Sequence, residues 1–73
     1  MIAEKLVPFL DVFNYDPRNA KFLGDPIDFI VFEDDEIILI EVKTNKSRLT
    51  SRQKMIKKLT LNKKVRWEEI RIK

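Results

Sequence analysis

The 73-residue chain contains no cysteine and no histidine, and each absence removes a class of chemistry. Without thiols, no disulfide can staple so small a domain. Without thiolate or imidazole ligands an ordinary zinc site is excluded; any metal must be held by oxygen, which favours magnesium, manganese or calcium. Long hydrophobic runs are missing as well. The apolar stretches are too short for a signal peptide or a membrane span, so a cytoplasmic protein without a membrane role is expected. Linkers, repeats and low-complexity segments are also lacking, which leaves a single domain over residues 1–73. A chain of this size buries only about 60% of the surface its unfolded form exposes. Small domains without staples often gain stability by association, so a homodimer is expected.

What the chain has in abundance is charge, unevenly placed. The net +3 hides two opposite halves. Residues 1–42 hold three Lys/Arg against ten Asp/Glu, a balance of −7, while residues 43–73 hold twelve against two, a balance of +10. A polyanion such as DNA would be drawn to the second half by long-range attraction and counterion release. A lysine-rich solvated surface would give the same count.

Hydrophobic spacing predicts the elements. Ile2, Leu6, Leu10 and Phe13, with Val7, recur at helical spacing, although the ring of Pro8 opposes the carbonyl of Glu4 and predicts a kink or a late start. Residues 14–26 are irregular, punctuated by Asp16-Pro17, Gly24 and Asp25-Pro26, with Ala20–Leu23 a candidate edge strand. Ile27–Phe32 and Glu36–Lys43 read as a hairpin around the turn Glu33-Asp34-Asp35-Glu36. Both faces of both strands are apolar, so each face needs a cover. Thr50-Ser51-Arg52-Gln53 is a capping box, which predicts a helix from Ser51 to about Leu61 with Met55, Ile56 and Leu59 facing the core. Residues 65–72 alternate as a final strand, slipping at a bulge near Glu68-Glu69.

Within this pattern the polar residues of the hairpin stand out. Alternation puts Glu41 and Lys43 on one face, roughly 6–7 Å apart along the strand. A reversal at Asp34-Asp35 pairs residues whose numbers sum to 69, which sets Asp28 across from Glu41 at about 5 Å. Two carboxylates so close repel unless a cation or a shared proton lies between them. Asp28 and Glu41, with the carbonyl of Val42 and water, would suit a hard divalent ion, and Lys43 beside it would orient or deprotonate an attacking water. Those provisions serve phosphodiester hydrolysis. An acid–lysine pair closing a strand end would account for the same residues.

Asp28 followed thirteen residues later by Glu41-Val42-Lys43 resembles the PD-(D/E)XK nuclease superfamily pattern. The stretches "FLGDPIDFIVF", "EVKTNKSRLTSRQ" and "VRWEEIRI" are similar to the archaeal Holliday-junction resolvases and, closer still, to the small resolvase-related endonucleases. The resemblance spans nearly the whole chain. It implies an α/β fold: a minimal restriction-endonuclease-like core of helix, β-hairpin, helix and strand around a mixed sheet. It implies a homodimeric, Mg2+- or Mn2+-dependent DNA endonuclease acting at branched DNA such as Holliday junctions, with a place in recombination and repair. Asp28 and Glu41, with Val42, would hold the metal, Lys43 would assist catalysis, and Glu4 would match the auxiliary glutamate of the first helix. Lys46, Ser47, Arg48, Arg52, Lys54, Lys57 and Lys58 would meet DNA phosphates.

Several positions have competing readings: Glu4 also reads as an ordinary solvent-facing helix residue, and Ser47 and Arg48 as a plain connection from strand to helix. Gln53 sits where such nucleases carry a site glutamine, but the capping box already explains it. Asp25 competes with Asp28 through its contact with Pro26. Trp67 reads as core or dimer interface ahead of a base-stacking platform. The chain is shorter than the resolvases it resembles. A non-catalytic DNA-binding or assembly module on the same fold is the alternative, and an adaptor without a DNA role is the most remote.

Overall fold

The computed structural model describes residues 4–72, with side chains from residue 5 onward. Its centre is a three-stranded antiparallel sheet in the order β1 (Ala20–Phe22), β2 (Phe29–Phe32), β3 (Ile37–Ile40). Phe29 pairs with Ile40, Ile30 with Leu39, Val31 with Ile38 and Phe32 with Ile37, the register expected from an acidic turn centred on Asp34-Asp35. Glu33 N–H closes that turn by donating to Glu36 O at 3.0 Å. The candidate edge strand is β1, with Ala20 opposite Val31 and Phe22 opposite Phe29.

Paired residues share a face, so Phe22, Phe29, Val31, Ile38 and Ile40 line one side of the sheet. Phe29 and Val31 are fully buried there. Phe29 meets the Phe22 ring at 5.4 Å and the Phe13 ring at 6.3 Å, and Lys5 Nζ lies 5.2 Å from the centroid of Phe22. Burying each of these large side chains is worth about 1.5–3 kcal/mol, which makes this face the anchor of the domain.

The N-terminal cover is not the amphipathic helix that the spacing predicts. Glu4–Phe9 is a 3-10 helix with Pro8 inside it, continued by i→i−3 bonds from Leu10 N–H to Val7 O and from Phe13 N–H to Leu10 O, each 3.0 Å. Proline removes a donor and crowds the preceding turn, so the segment winds more tightly than an α-helix. The face rotates accordingly: Val7 is buried, whereas Leu6 and Leu10 are exposed. Ile2 lies outside the described residues. A second short 3-10 turn, Pro17–Asn19, leads into β1 and is capped by Asp16, whose Oδ1 accepts from Arg18 N–H at 2.9 Å. The Arg18 side chain also grips this carboxylate, at 2.8 Å from Oδ2. Its side-chain and backbone hydrogen bonds hold the Asp16 pKa below the ordinary 3.8.

The helix α1 (Ser51–Leu61) starts where the capping box places it. Thr50 Oγ1 accepts from Gln53 N–H at 3.1 Å, and Gln53 Oε1 accepts from Thr50 N–H at 3.0 Å. It ends in a Schellman turn, with Lys63 N–H donating to Thr60 O at 3.0 Å and Lys64 N–H to Leu59 O at 2.9 Å. Lys63 takes the left-handed conformation, φ 58°, usually given to glycine. Gln53, Ile56, Lys57 and Thr60 turn toward the sheet, not Met55 and Leu59, which are exposed. The Gln53 side chain bonds across to the hairpin and sets the helix rotation. At about 100° per residue this carries positions 55 and 59 to the outer side.

The expected final strand is not formed. Residues 65–72 make no regular structure and lie outside the sheet, which is therefore antiparallel, not mixed. Trp67 is 83% exposed, which removes it from the core. A strand needs a neighbour to satisfy its backbone, and none of the described residues supplies one to this segment. Among the described residues no helix is long and apolar enough to cross a membrane.

Candidate active site

Asp28 immediately precedes β2 and Glu41 immediately follows β3, so the hairpin register brings them together at the end opposite the turn. Here side chains take over from the ladder. Glu41 Oε1 accepts from Asp28 N–H at 3.1 Å, and Asp28 Oδ2 accepts from Val42 N–H at 2.8 Å. Asp28 O in turn accepts from Leu23 N–H at 2.7 Å and from Gly24 N–H at 3.3 Å. Backbone and side chain of Asp28 are thus tied to two neighbouring segments, Leu23-Gly24 and Glu41-Val42.

Asp28 is only 3% exposed, the one fully buried charged residue among those described. Burying a carboxylate is expensive unless partners offset the lost hydration. Oδ2 has its partner in Val42. Oδ1 receives no hydrogen bond from the described residues. Glu41 Oε2 accepts from Gln53 Nε2 at 2.9 Å and lies 3.2 Å from Lys43 Nζ. Gln53 Nε2 also donates to Pro26 O at 3.0 Å, tying α1 to the approach of β2.

Asp28, Glu41, Val42 and Lys43 are therefore assembled as the register argument expects, and Gln53 joins them. The choice between a cap and a site role for Gln53 does not arise. Its amide oxygen serves the cap while its amide nitrogen serves Glu41. Local sequence reveals only the first of these. Asp25 is exposed in the bend before β2, outside the hydrogen-bond network around Glu41. The side chain of Glu4 lies outside the described residues.

The donor set available to a cation is all oxygen: Asp28 Oδ1, the Glu41 carboxylate and the Val42 carbonyl. Hard oxygens of this kind fit magnesium or manganese, which keep several waters and take only one or two carboxylates from a protein. Among the described residues no third acidic side chain converges on the pair.

Beside Glu41 a cavity of about 370 Å3 opens between the sheet and α1. Ile27, Leu39 and Ile56 supply apolar walls, while Glu41, Gln53 and Lys57 supply its polar side. Lys57 stands one helical turn beyond Gln53 and so faces the site, a place its membership of a lysine run does not reveal. Lys46, Ser47 and Arg48 lie on the exposed loop before the helix, where Ser47 N–H donates to Thr44 O at 3.1 Å. Arg52, Lys54 and Lys58 are exposed on α1. Cations thus extend from the mouth of the cavity over the loop and helix.

A family model described as an endonuclease related to archaeal Holliday junction resolvase matches residues 1–72. Comparison with curated proteins returns no match, and neither does comparison with solved structures.

Proposed function

Because the chain belongs to the family of endonucleases related to archaeal Holliday junction resolvases, we propose that it hydrolyses DNA phosphodiester bonds at the Asp28–Glu41–Lys43 cluster. In this reading it is divalent-metal-dependent, acts as a homodimer in the cytoplasm, and cuts branched DNA such as four-way junctions. Its antiparallel hairpin and following helix are then a reduced restriction-endonuclease-like core. The observation that carries the reading is the convergence of two carboxylates, a lysine and an amide at one hairpin end, held by bonds of 2.8–3.2 Å.

Asp28, through Oδ1, with Glu41 and the Val42 carbonyl, would hold Mg2+ or Mn2+. Such an ion, when bound, acidifies a water and neutralises phosphate charge. The protein's own part is positional. Gln53 and Asp28 N–H each hold one oxygen of Glu41, so its carboxylate cannot rotate away. Lys43, paired with Glu41, keeps a positive charge where the scissile phosphate must sit and where charge grows as water attacks phosphorus. Lys57 and the loop cations Lys46 and Arg48, with Ser47, would grip flanking phosphates, and Arg52, Lys54 and Lys58 would extend that track. Two sites related by a twofold axis would suit paired cuts across a junction.

A second reading has its own support. Both oxygens of Glu41 already have partners, so the cluster also works as a closed structural network in a DNA-binding module that does not cut. The deciding experiment is cleavage of an end-labelled four-way junction beside linear duplex and single strand, in magnesium and then manganese, with Glu41→Ala as control. Metal-dependent cuts at the junction, lost in the variant, support the nuclease. Binding without cutting under every condition would establish the module.

A further inference from the structure

Residues 65–72 leave the end of α1 exposed throughout and, among the described residues, without a backbone hydrogen bond to any element. We propose that this arm is a strand donated in trans: residues 65–72 of one copy add to the free edge of β3 in a second copy, which returns its own arm. The proposal rests on the homodimer of the reading above and specifies how the two copies join.

Shape is the first support. A compact chain of this length has a radius of gyration of about 11 Å. The observed value is 14.0 Å, with extents of 47 × 29 × 24 Å. The Schellman turn at Asn62–Lys64 fixes the chain's exit from α1, and beyond it the arm stands clear of its own sheet. Among the described residues its polar side chains bond only within the arm, Trp67 Nε1–H to Glu69 Oε1 at 3.1 Å, Arg66 to Glu68 at 3.5 Å and Arg71 to Glu69 at 3.4 Å.

The backbone is the second. Among the described residues no N–H or C=O of 65–72 has a backbone partner. Among the described residues β3 pairs only with β2, which leaves its other edge unpaired. An unpaired edge templates the addition of another chain. Donor and acceptor both occur on this one chain, so two copies satisfy each other in a closed exchange.

Side chains and charge are the third. Val65, Trp67, Ile70 and Ile72 are all highly exposed, and in a regular strand the first two would share one face and the last two the other. A bulge at Glu68-Glu69 would bring the four onto one face. At the acceptor, Ile37 and Phe32 are exposed at the turn end of the hairpin, on the sheet face that α1 leaves partly uncovered. The adjoining turn Glu33–Glu36 is wholly acidic, while the approach to the arm carries Lys63 and Lys64; within the arm Arg66 and Arg71 are matched by Glu68 and Glu69. Trp67 alone would bury about 150–250 Å2. Two arms with four apolar side chains each, counted with the surfaces they cover, reach the roughly 1,200–2,000 Å2 of a stable interface.

The test places the photo-crosslinking residue p-benzoylphenylalanine at Trp67 in full-length chains. Light and 15N-labelled chains are mixed in equal amounts, irradiated and mapped by mass spectrometry. The expected result is mixed light–heavy cross-links to Ile37–Ile40. Sedimentation of Trp67→Lys/Ile70→Lys should show a dimer dissociation constant raised at least 100-fold, with an unchanged circular dichroism spectrum. Cross-links within single chains would mean the arm folds back on its own sheet and would overturn the proposal. Mixed cross-links to the Met55–Leu59 side of α1 would leave the dimer standing and overturn the β3 edge. Absence of cross-links with a monomeric wild type would overturn the exchange and the homodimer together. None of these readouts uses DNA cleavage, so failure here and failure of the nuclease reading are separable.

Discussion

Gln53 and Glu41 are joined side chain to side chain at 2.9 Å, although one lies in the first turn of α1 and the other just beyond β3. The same amide accepts the Thr50 N–H that starts the helix. Nucleation of α1 and orientation of the carboxylate are thereby one event.

This linkage makes Gln53 separable from an ordinary capping residue. Thr50→Ala should destabilise the domain by about 1 kcal/mol through the lost cap and leave cleavage per folded molecule nearly intact. Gln53→Ala should cost about 1–3 kcal/mol, because Glu41 also loses a donor, and should lower kcat. Urea denaturation and single-turnover cleavage measure the two effects. Equal behaviour of the two variants in both assays would show that the bond to Glu41 has no consequence.

Asp28→Asn preserves shape and can still accept from Val42 N–H, so its melting temperature should stay near that of the parent chain. Manganese affinity by calorimetry and cleavage should both fall by 100-fold or more. An unchanged cleavage rate would exclude Asp28 from the site.

Lys63 holds a left-handed conformation with a side chain attached. Lys63→Gly should therefore stabilise the domain by about 1 kcal/mol, as expected at the end of a Schellman turn. Its denaturation midpoint should rise without change in the slope, and a fall in that midpoint would contradict the assigned turn.

Lys57 and Lys58 are neighbours in sequence but differ in direction, since only Lys57 lines the cavity beside Glu41. Replacing either by alanine should weaken DNA binding and reduce the salt slope by about 1. Only Lys57→Ala should also slow the single-turnover rate at saturating enzyme. Equal rates for both variants would place Lys57 on the general phosphate track.

Asp16 gives a pH signature. Its folded pKa is depressed below 3.8 by Arg18, so the bond's contribution is present above the unfolded value and is lost as pH falls through the folded one. The melting temperatures of wild type and Asp16→Asn should differ at neutral pH and converge in strong acid, below 3.8. A difference independent of pH would mean that the carboxylate charge is not involved.

The parts of the fold legible in the sequence were those whose signals are local or periodic. Apolar runs on either side of Glu33–Glu36 set the hairpin, its register, and with it the meeting of Asp28 and Glu41. Thr50 and Gln53 marked the helix start because both partners of a capping box lie three residues apart. What escaped was set by partners distant in the chain. Helical spacing at Leu6 and Leu10 was overridden by Pro8. The spacing of Met55 and Leu59 points inward because nothing in α1 tells that Gln53 is fastened to Glu41. Alternation in 65–72 predicts a strand that the structure does not form, because a pattern cannot supply the neighbour a strand needs.

The placement of the carboxylates where the β2–β3 ladder stops has a thermal consequence. The β3 side of this junction, where half-buried Glu41 and Val42 run into the exposed loop 43–48, opens before the buried stretch Ile27–Phe29 lets go, because less apolar contact is lost there. Warming should therefore part Asp28 from Glu41 while the domain is still folded by spectroscopic measures. Heat inactivation should run ahead of melting, and a ligand bound across the two strand ends should close that gap by holding them together.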